Sequence, residues 1–134
     1  MRVMLDTNVL ISAFVLKSKV VNQVVEKILL EHRLVLSTFV INELQRVVAK
    51  RFSGKTKELD DFLAVLPYEC VYTPEAIVDD LFEIRDHMDY PVLYSAIIGD
   101  VDVFITGDKD FAEVVVEKPE ILAPRDFYDK YIQE

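Results

Sequence analysis

The chain has 134 residues, the length of one domain, and 51% of it is hydrophobic, which suits a buried core and excludes an intrinsically disordered chain. Its formal net charge is −9, with a sequence pI near 4.7. That balance argues against a broad phosphate-binding face; it suits an acidic protein that carries a cation or meets a basic partner, with an acidic surface kept for solubility as the ordinary alternative.

In chain order, residues 2–5 read as a short buried strand. Residues 9–16 and 20–30 carry apolar side chains at helical spacing, broken by Lys17-Ser18-Lys19. Leu34-Val35-Leu36 reads as a second strand, and Ser37 or Thr38 suits the N-cap of a helix over residues 39–52 that ends near Ser53-Gly54. A further helix over residues 55–66 stops at Pro67. Cys70-Val71-Tyr72 is a candidate strand, and a helix is expected from Pro74 to about Arg85. Asp89-Tyr90-Pro91 reads as a helix start, because Pro suits the first turn. That helix runs to Ile98, with Gly99 closing it. Residues 101–106 form the strongest strand, and Glu120-Ile121-Leu122 a weak last one before a C-terminal helix.

Strands alternating with helices imply an α/β fold, a parallel sheet covered on both faces. No repeat, low-complexity tract or linker divides the chain, so residues 1–134 are expected to form one domain. No apolar run nears the roughly 18 residues of a membrane span, and the N-terminus lacks a signal peptide's apolar centre. Cys70 stands alone, so no intrachain disulfide forms and a cytoplasmic location is expected. It reads as a small buried apolar residue. His32 and His87 show no zinc-type spacing and read as surface residues, while Tyr90, Tyr94, Phe127 and Tyr131 read as core.

In parallel sheets, ligands bind beyond the carboxyl ends of the strands, and two expected strands deliver acids there. Asp6 follows Leu5 directly, and Asp108 and Asp110 follow residues 101–106. Each has an ordinary reading: Asp6 as a helix cap, Asp89 as a better one, Asp108 and Asp110 as turn residues beside Gly107. Glu43 differs, because it shares a helix face with Val40 and Val47 and so sits at the edge of the side turned inward. An unpaired carboxylate there is costly, and it calls for a salt bridge, with Arg46 or another arginine, or for a metal shared with other acids. Clustered carboxylates repel unless a cation joins them. Oxygen donors with no nearby His or Cys favour Mg²⁺ or Mn²⁺, and such an ion suits phosphodiester hydrolysis.

The segments LDTNVLISA, STFVINELQRVV and RDHMDYPVLYSAIIGDVDVFITGDKDF, in this order, resemble the PIN-domain family. They look most like its small bacterial and archaeal members that serve as toxins of toxin–antitoxin pairs, broadly VapC-like. The resemblance covers residues 1 to about 122. It implies a three-layer α/β/α sandwich and a Mg²⁺- or Mn²⁺-dependent endoribonuclease. The family's four acids fall in order on Asp6, Glu43, Asp89 and Asp108, with Asp110 sharing or exchanging the fourth role. Asn8 and Thr106 match polar positions that order the acidic site. The implied reaction is water attack on an RNA phosphodiester, leaving a 5′-phosphate and a 3′-hydroxyl. The implied partners are RNA, a cognate antitoxin and further copies of the chain in a homodimer or larger homo-oligomer; no membrane partner is implied.

Lys17, Lys19, Arg46, Lys50, Arg51 and Lys109 are within the set of basic residues able to touch phosphate, yet each also reads as an ordinary solvated side chain, so no substrate-binding residue is assigned. Three rivals are weighed. A haloacid-dehalogenase-type phosphatase wants a second Asp where this chain has Asn8. A phosphate-accepting receiver domain has no need of Glu43 facing inward. A catalytically inactive PIN-like interaction module has no need of a complete set of acids.

Overall fold

Three uninterrupted apolar runs build the middle of the sheet. The structure, a computed structural model, describes residues 1–132, so the last two residues of the expected domain lie outside the described part. Val3, Met4 and Leu5 of β1 (Arg2–Leu5), Leu34, Val35 and Leu36 of β2 (Arg33–Ser37), and all of β4 (Val103–Ile105) are buried. Strands covered on both faces need apolar side chains pointing both ways, which is why these runs do not alternate. The edge strands β3 (Glu69–Val71) and β5 (Glu120–Leu122) have no buried residue. All four pairings are parallel, in the order β3-β2-β1-β4-β5, with Val3 opposite both Leu34 and Val103.

The helices are α1 (Thr7–Phe14), α2 (Lys19–Glu31), α3 (Thr38–Arg51), α4 (Thr56–Val65), α5 (Tyr90–Ile98) and α6 (Pro124–Phe127), the last running into a wider turn at Tyr128–Ile132. Helix α2 packs against α6, and α3 against α4 and α5, forming outer layers around the sheet. Helix α3 begins where Ser37 Oγ accepts from the Val40 N–H at 3.2 Å, and it buries Val40, Leu44 and Val48 at four-residue intervals. Helix α5 is apolar all round, burying Val92, Leu93, Tyr94 and Ala96 together with the hydroxyl of Ser95. None of the described helices is by itself long and apolar enough to cross a membrane.

The strand order sets the position of the site. The chain lays β2 and then β3 on one side of β1, and then returns to place β4 and β5 on the other side. Connections leaving the carboxyl ends of β1 and β4 therefore run in opposite directions, and a crevice opens between them. The ladder continues one step past each strand: the Asp6 N–H donates to the Ile105 carbonyl at 3.0 Å, and the Thr106 N–H to that of Leu122 at 2.9 Å.

One helix end is more detailed than the sequence shows, and two local expectations are corrected. Gly99 closes α5 as its C-cap, as expected; its φ is −79°, and the left-handed residue of this helix end is Asp100, at φ 52°. The Asp100 N–H then reaches the Ile97 carbonyl and the Val101 N–H that of Ala96, the bonding pattern of a Schellman end. Gly99 is needed for space instead, since a Cβ there would meet Val71 Cγ2 at 2.9 Å. Cys70 is exposed on edge strand β3 rather than buried, because its side of the edge has no layer above it.

The second correction is larger. No helix forms between Pro74 and Arg85. Glu75, Asp79 and Glu83 would stack at four-residue spacing along one helical face, and like charges at that spacing destabilise a helix. The apolar side chains of this stretch serve tertiary anchoring. Phe82 stacks on Tyr90 at 4.2 Å between ring centroids. The Tyr90 hydroxyl donates to the Val78 carbonyl at 2.6 Å and accepts from the Leu81 N–H at 3.2 Å. Tyr90→Phe, which keeps the ring and removes both bonds, is expected to cost about 1 kcal/mol and to lower the melting temperature by a few degrees. Limited proteolysis should show residues 74–88 cut faster in that variant; equal cutting rates in the two proteins would refute this anchoring role.

Candidate active site

Asp6 is the N-cap of α1 and is only 6% exposed. Its Oδ1 accepts from the Thr7 N–H at 2.7 Å and its Oδ2 from the Thr106 hydroxyl at 2.7 Å. Thr106 in turn accepts from the Asp108 N–H at 3.0 Å, and Asp108 Oδ1 accepts from the Asp110 N–H at 2.9 Å. One short relay therefore ties the residue after β1 to the turn after β4. Glu43, half-buried on α3, accepts a hydrogen bond from the Thr7 hydroxyl and stands 4.0 Å from Arg46. The salt-bridge reading of Glu43 is thus met, though at the limit of an ion pair. Asp89 ends a short turn, His87–Asp89, ahead of α5 and makes no capping bond with its side chain.

Asp6, Glu43, Asp89 and Asp108 line a single cleft of about 370 Å³, together with Thr7, Asn8 and the α3 side chains Arg46, Lys50 and Arg51. Asn8 is exposed at its rim, while Thr106 lies behind Asp6. Asp110 is not in the lining. It pairs with Arg85 Nε at 3.2 Å, and its carboxylate lies with those of Asp86 and Asp89 so that one oxygen from each falls within 4.8 Å of the others. Asp89 therefore belongs to both groups, inside the cleft and on its outer lip.

Burial raises the Asp6 carboxyl to about 6; the Thr106 and Thr7 hydrogen bonds oppose that rise, and the charges of Glu43 and Asp108 add to it. Asp89 rises to about 7, first through desolvation and then through the charges of Asp108, Asp86 and Asp6 and a hydrogen bond with the Asp108 carboxyl. Carboxylates this close favour holding a proton. The donors are all hard oxygens, so the residues present fit a divalent cation such as Mg²⁺ or Mn²⁺.

The sequence matches the PIN domain family over residues 2–110. The chain belongs to the PIN domain family. This PIN domain is also similar in fold to a chain of the crystal structure of VapBC2 from Rickettsia felis bound to a DNA fragment from their promoter. The TM-score is 0.67 and the identity 19%, covering 91% of this chain and 97% of that one. No curated protein matches the sequence.

Thr7, Arg85 and Asp86 are parts of this region that the sequence did not single out. Thr7 sits inside the LDTN segment, and nothing in that spacing shows that its hydroxyl meets an acid 36 residues away. Asp86 lies three residues before Asp89, a visible spacing, but its meaning depends on Asp110 folding back against both.

The raised carboxyls set a pH dependence. A carboxyl with a higher pKa folded than unfolded binds protons more tightly in the folded state, so its penalty is absent below about pH 4 and grows as pH rises. For Asp6 the penalty is complete above about 6, and for Asp89 above about 7. In EDTA, Asp6→Asn should therefore be more stable than the parent at pH 7.5, by at most about 3 kcal/mol, and the gap should close by pH 4. Urea unfolding at the two pH values tests this, and a variant less stable than the parent at pH 7.5 would contradict it.

Proposed function

We propose that this PIN domain is a divalent-metal-dependent endoribonuclease and the toxin of a toxin–antitoxin pair. The observation that carries the reading is the convergence of four carboxylates, from four separate segments, on one cleft where Asp6 is buried without a cationic partner. Asp6, Glu43, Asp89 and Asp108 would hold Mg²⁺ or Mn²⁺. When bound, such an ion supplies a water of lowered pKa and positive charge against the phosphoryl group under attack. Thr106 and the Thr7 N–H hold both oxygens of Asp6 in place, and the Thr7 hydroxyl fixes Glu43. The turn through Asp108 and Asp110 is stiffened by its own backbone bonds, so Asp108 meets the cleft in one orientation. Asp110, already paired with Arg85, supports the turn and the lip.

The fold likeness to a VapBC2 chain supports a cognate antitoxin as partner; cytoplasmic action and a homodimer or larger homo-oligomer are parts of the same proposal. A catalytically inactive interaction module is the second reading; the clustering of the acids counts against it, because nothing in a binding role needs four mutually repelling carboxylates, one of them buried.

Millimolar Mn²⁺ or Mg²⁺ is expected to raise the melting temperature, since an ion bound to the folded state alone stabilises it. Asp6→Asn should remove most of that shift. A mixture of structured and single-stranded RNAs should be cleaved with Mn²⁺, and spared in EDTA or by Asp6→Asn; cleavage persisting in either condition would sink the nuclease reading. Thr7→Val, which frees Glu43 without removing an acid, should weaken the apparent Mn²⁺ affinity by roughly 10-fold or more.

A further inference from the structure

The cleft has two unlike parts. Helix α3 supplies Arg46, Lys50 and Arg51, which share one helical face with Glu43 at spacings of three, seven and eight residues. At 1.5 Å per residue they lead from the acids outward over roughly 12 Å. At Asp89 the cleft meets a second group of acids, Asp86, Asp89 and Asp110, whose cation, Arg85, is engaged by Asp110.

Most lysines and arginines of this acidic chain are tied up. Among the described residues, Lys17, Lys19, Lys50, Arg51, Lys57 and Lys109 make no ion pair, and two of these six line the cleft beside the acids. Arg46 has only its 4.0 Å approach to Glu43.

We propose that this face of α3 is a phosphate track for one strand of RNA, holding the two or three phosphates on one side of the scissile bond. The proposal rests on the nuclease reading of the cleft and adds to it a direction and a substrate form. Phosphates along α3 meet three cations, whereas those near Asp89 meet the acids Asp86 and Asp110 and are repelled. A single helix face serves one strand, and in a chain with a net charge of −9 a second strand gains little counter-charge. No aromatic side chain lines the cleft among the described residues, and the contacts proposed for the track are electrostatic.

The competing role for Lys50 and Arg51 is local, because both lie in the last turn of α3, where cations offset the helix dipole. Anisotropy titrations with a labelled single-stranded RNA of about 12 nucleotides, in EDTA, separate the two roles. Three phosphate contacts on a single strand give a slope of about −2 for log affinity against log salt, a loss of roughly 15- to 20-fold between 50 and 200 mM. The triple variant Arg46→Gln/Lys50→Gln/Arg51→Gln should bind about tenfold or more weakly at 50 mM and lose most of that slope. Its Mn²⁺-induced melting shift should persist, showing that the acids are intact. The variant Lys17→Gln/Lys19→Gln/Lys57→Gln, with the same change in charge away from the cleft, should keep the parent's affinity and slope.

The proposal is overturned if the triple variant keeps the parent's slope or changes only in melting temperature. Equal losses in the control variant, parent protein that does not bind the single strand, or duplex RNA bound as well as single strand would overturn it too. Binding in EDTA needs no cleavage, so the two readings fail separately. Track-dependent binding by a protein that never cuts RNA would remove the nuclease, and cutting with no dependence on the three α3 residues would remove the track.

Discussion

A carboxylate placed under cover with no positive charge beside it is the constraint from which the rest of this molecule follows. Asp6 cannot move out, because its backbone N–H is still bonded to β4 and the residue begins α1. Its charge cannot be dispersed into water, because the side chain is almost wholly enclosed. What the fold supplies instead is hydrogen bonding, from Thr7 and Thr106, which steadies the carboxylate without neutralising it. Adding Glu43, Asp89 and Asp108 to the same cleft raises the electrostatic cost further. Such an arrangement is poorly suited to stability and well suited to taking up a cation.

The topology explains why the strain gathers at this place. In a sheet ordered β3-β2-β1-β4-β5, the two strands that flank the change of direction are β1 and β4. The residues just past their carboxyl ends face each other across the crevice that this change leaves. Helix α3 brings Glu43 to the same crevice, and the turn before α5 brings Asp89. The two elements differ in charge beyond these acids, basic along α3 and acidic around Asp86 and Asp110. A chain that is acidic overall can thus offer a local basic surface, since net charge does not decide where individual charges stand.

The stretch between β3 and α5 shows how tertiary contacts can overrule a helical pattern. Ile77, Leu81 and Ile84 are spaced for a helix, but Tyr90 binds the segment as an irregular strap through its ring and its hydroxyl. This strap carries Arg85 and Asp86 to the lip of the cleft, where Arg85 meets Asp110. The irregularity is therefore what brings the outer acidic group together.

Much was legible in the sequence alone. The apolar runs at 3–5, 34–36 and 103–105 announce strands buried on both faces, because alternation is lost only when both sides are covered. Ser37 and Pro91 mark helix starts through their own local chemistry, and that is why those boundaries fall close to where the chain places them. That acids end two strands is likewise a fact of sequence. Which acids meet was decided by the tertiary structure: Asp108 in the cleft, Asp110 turned to Arg85, Asp89 shared between two groups, and Thr7 joined to Glu43. Local propensity acts over a few residues, whereas these pairings depend on strand order and helix placement across up to 100 residues of chain. Spacing along the chain carries no record of such distances; only the folded sheet does.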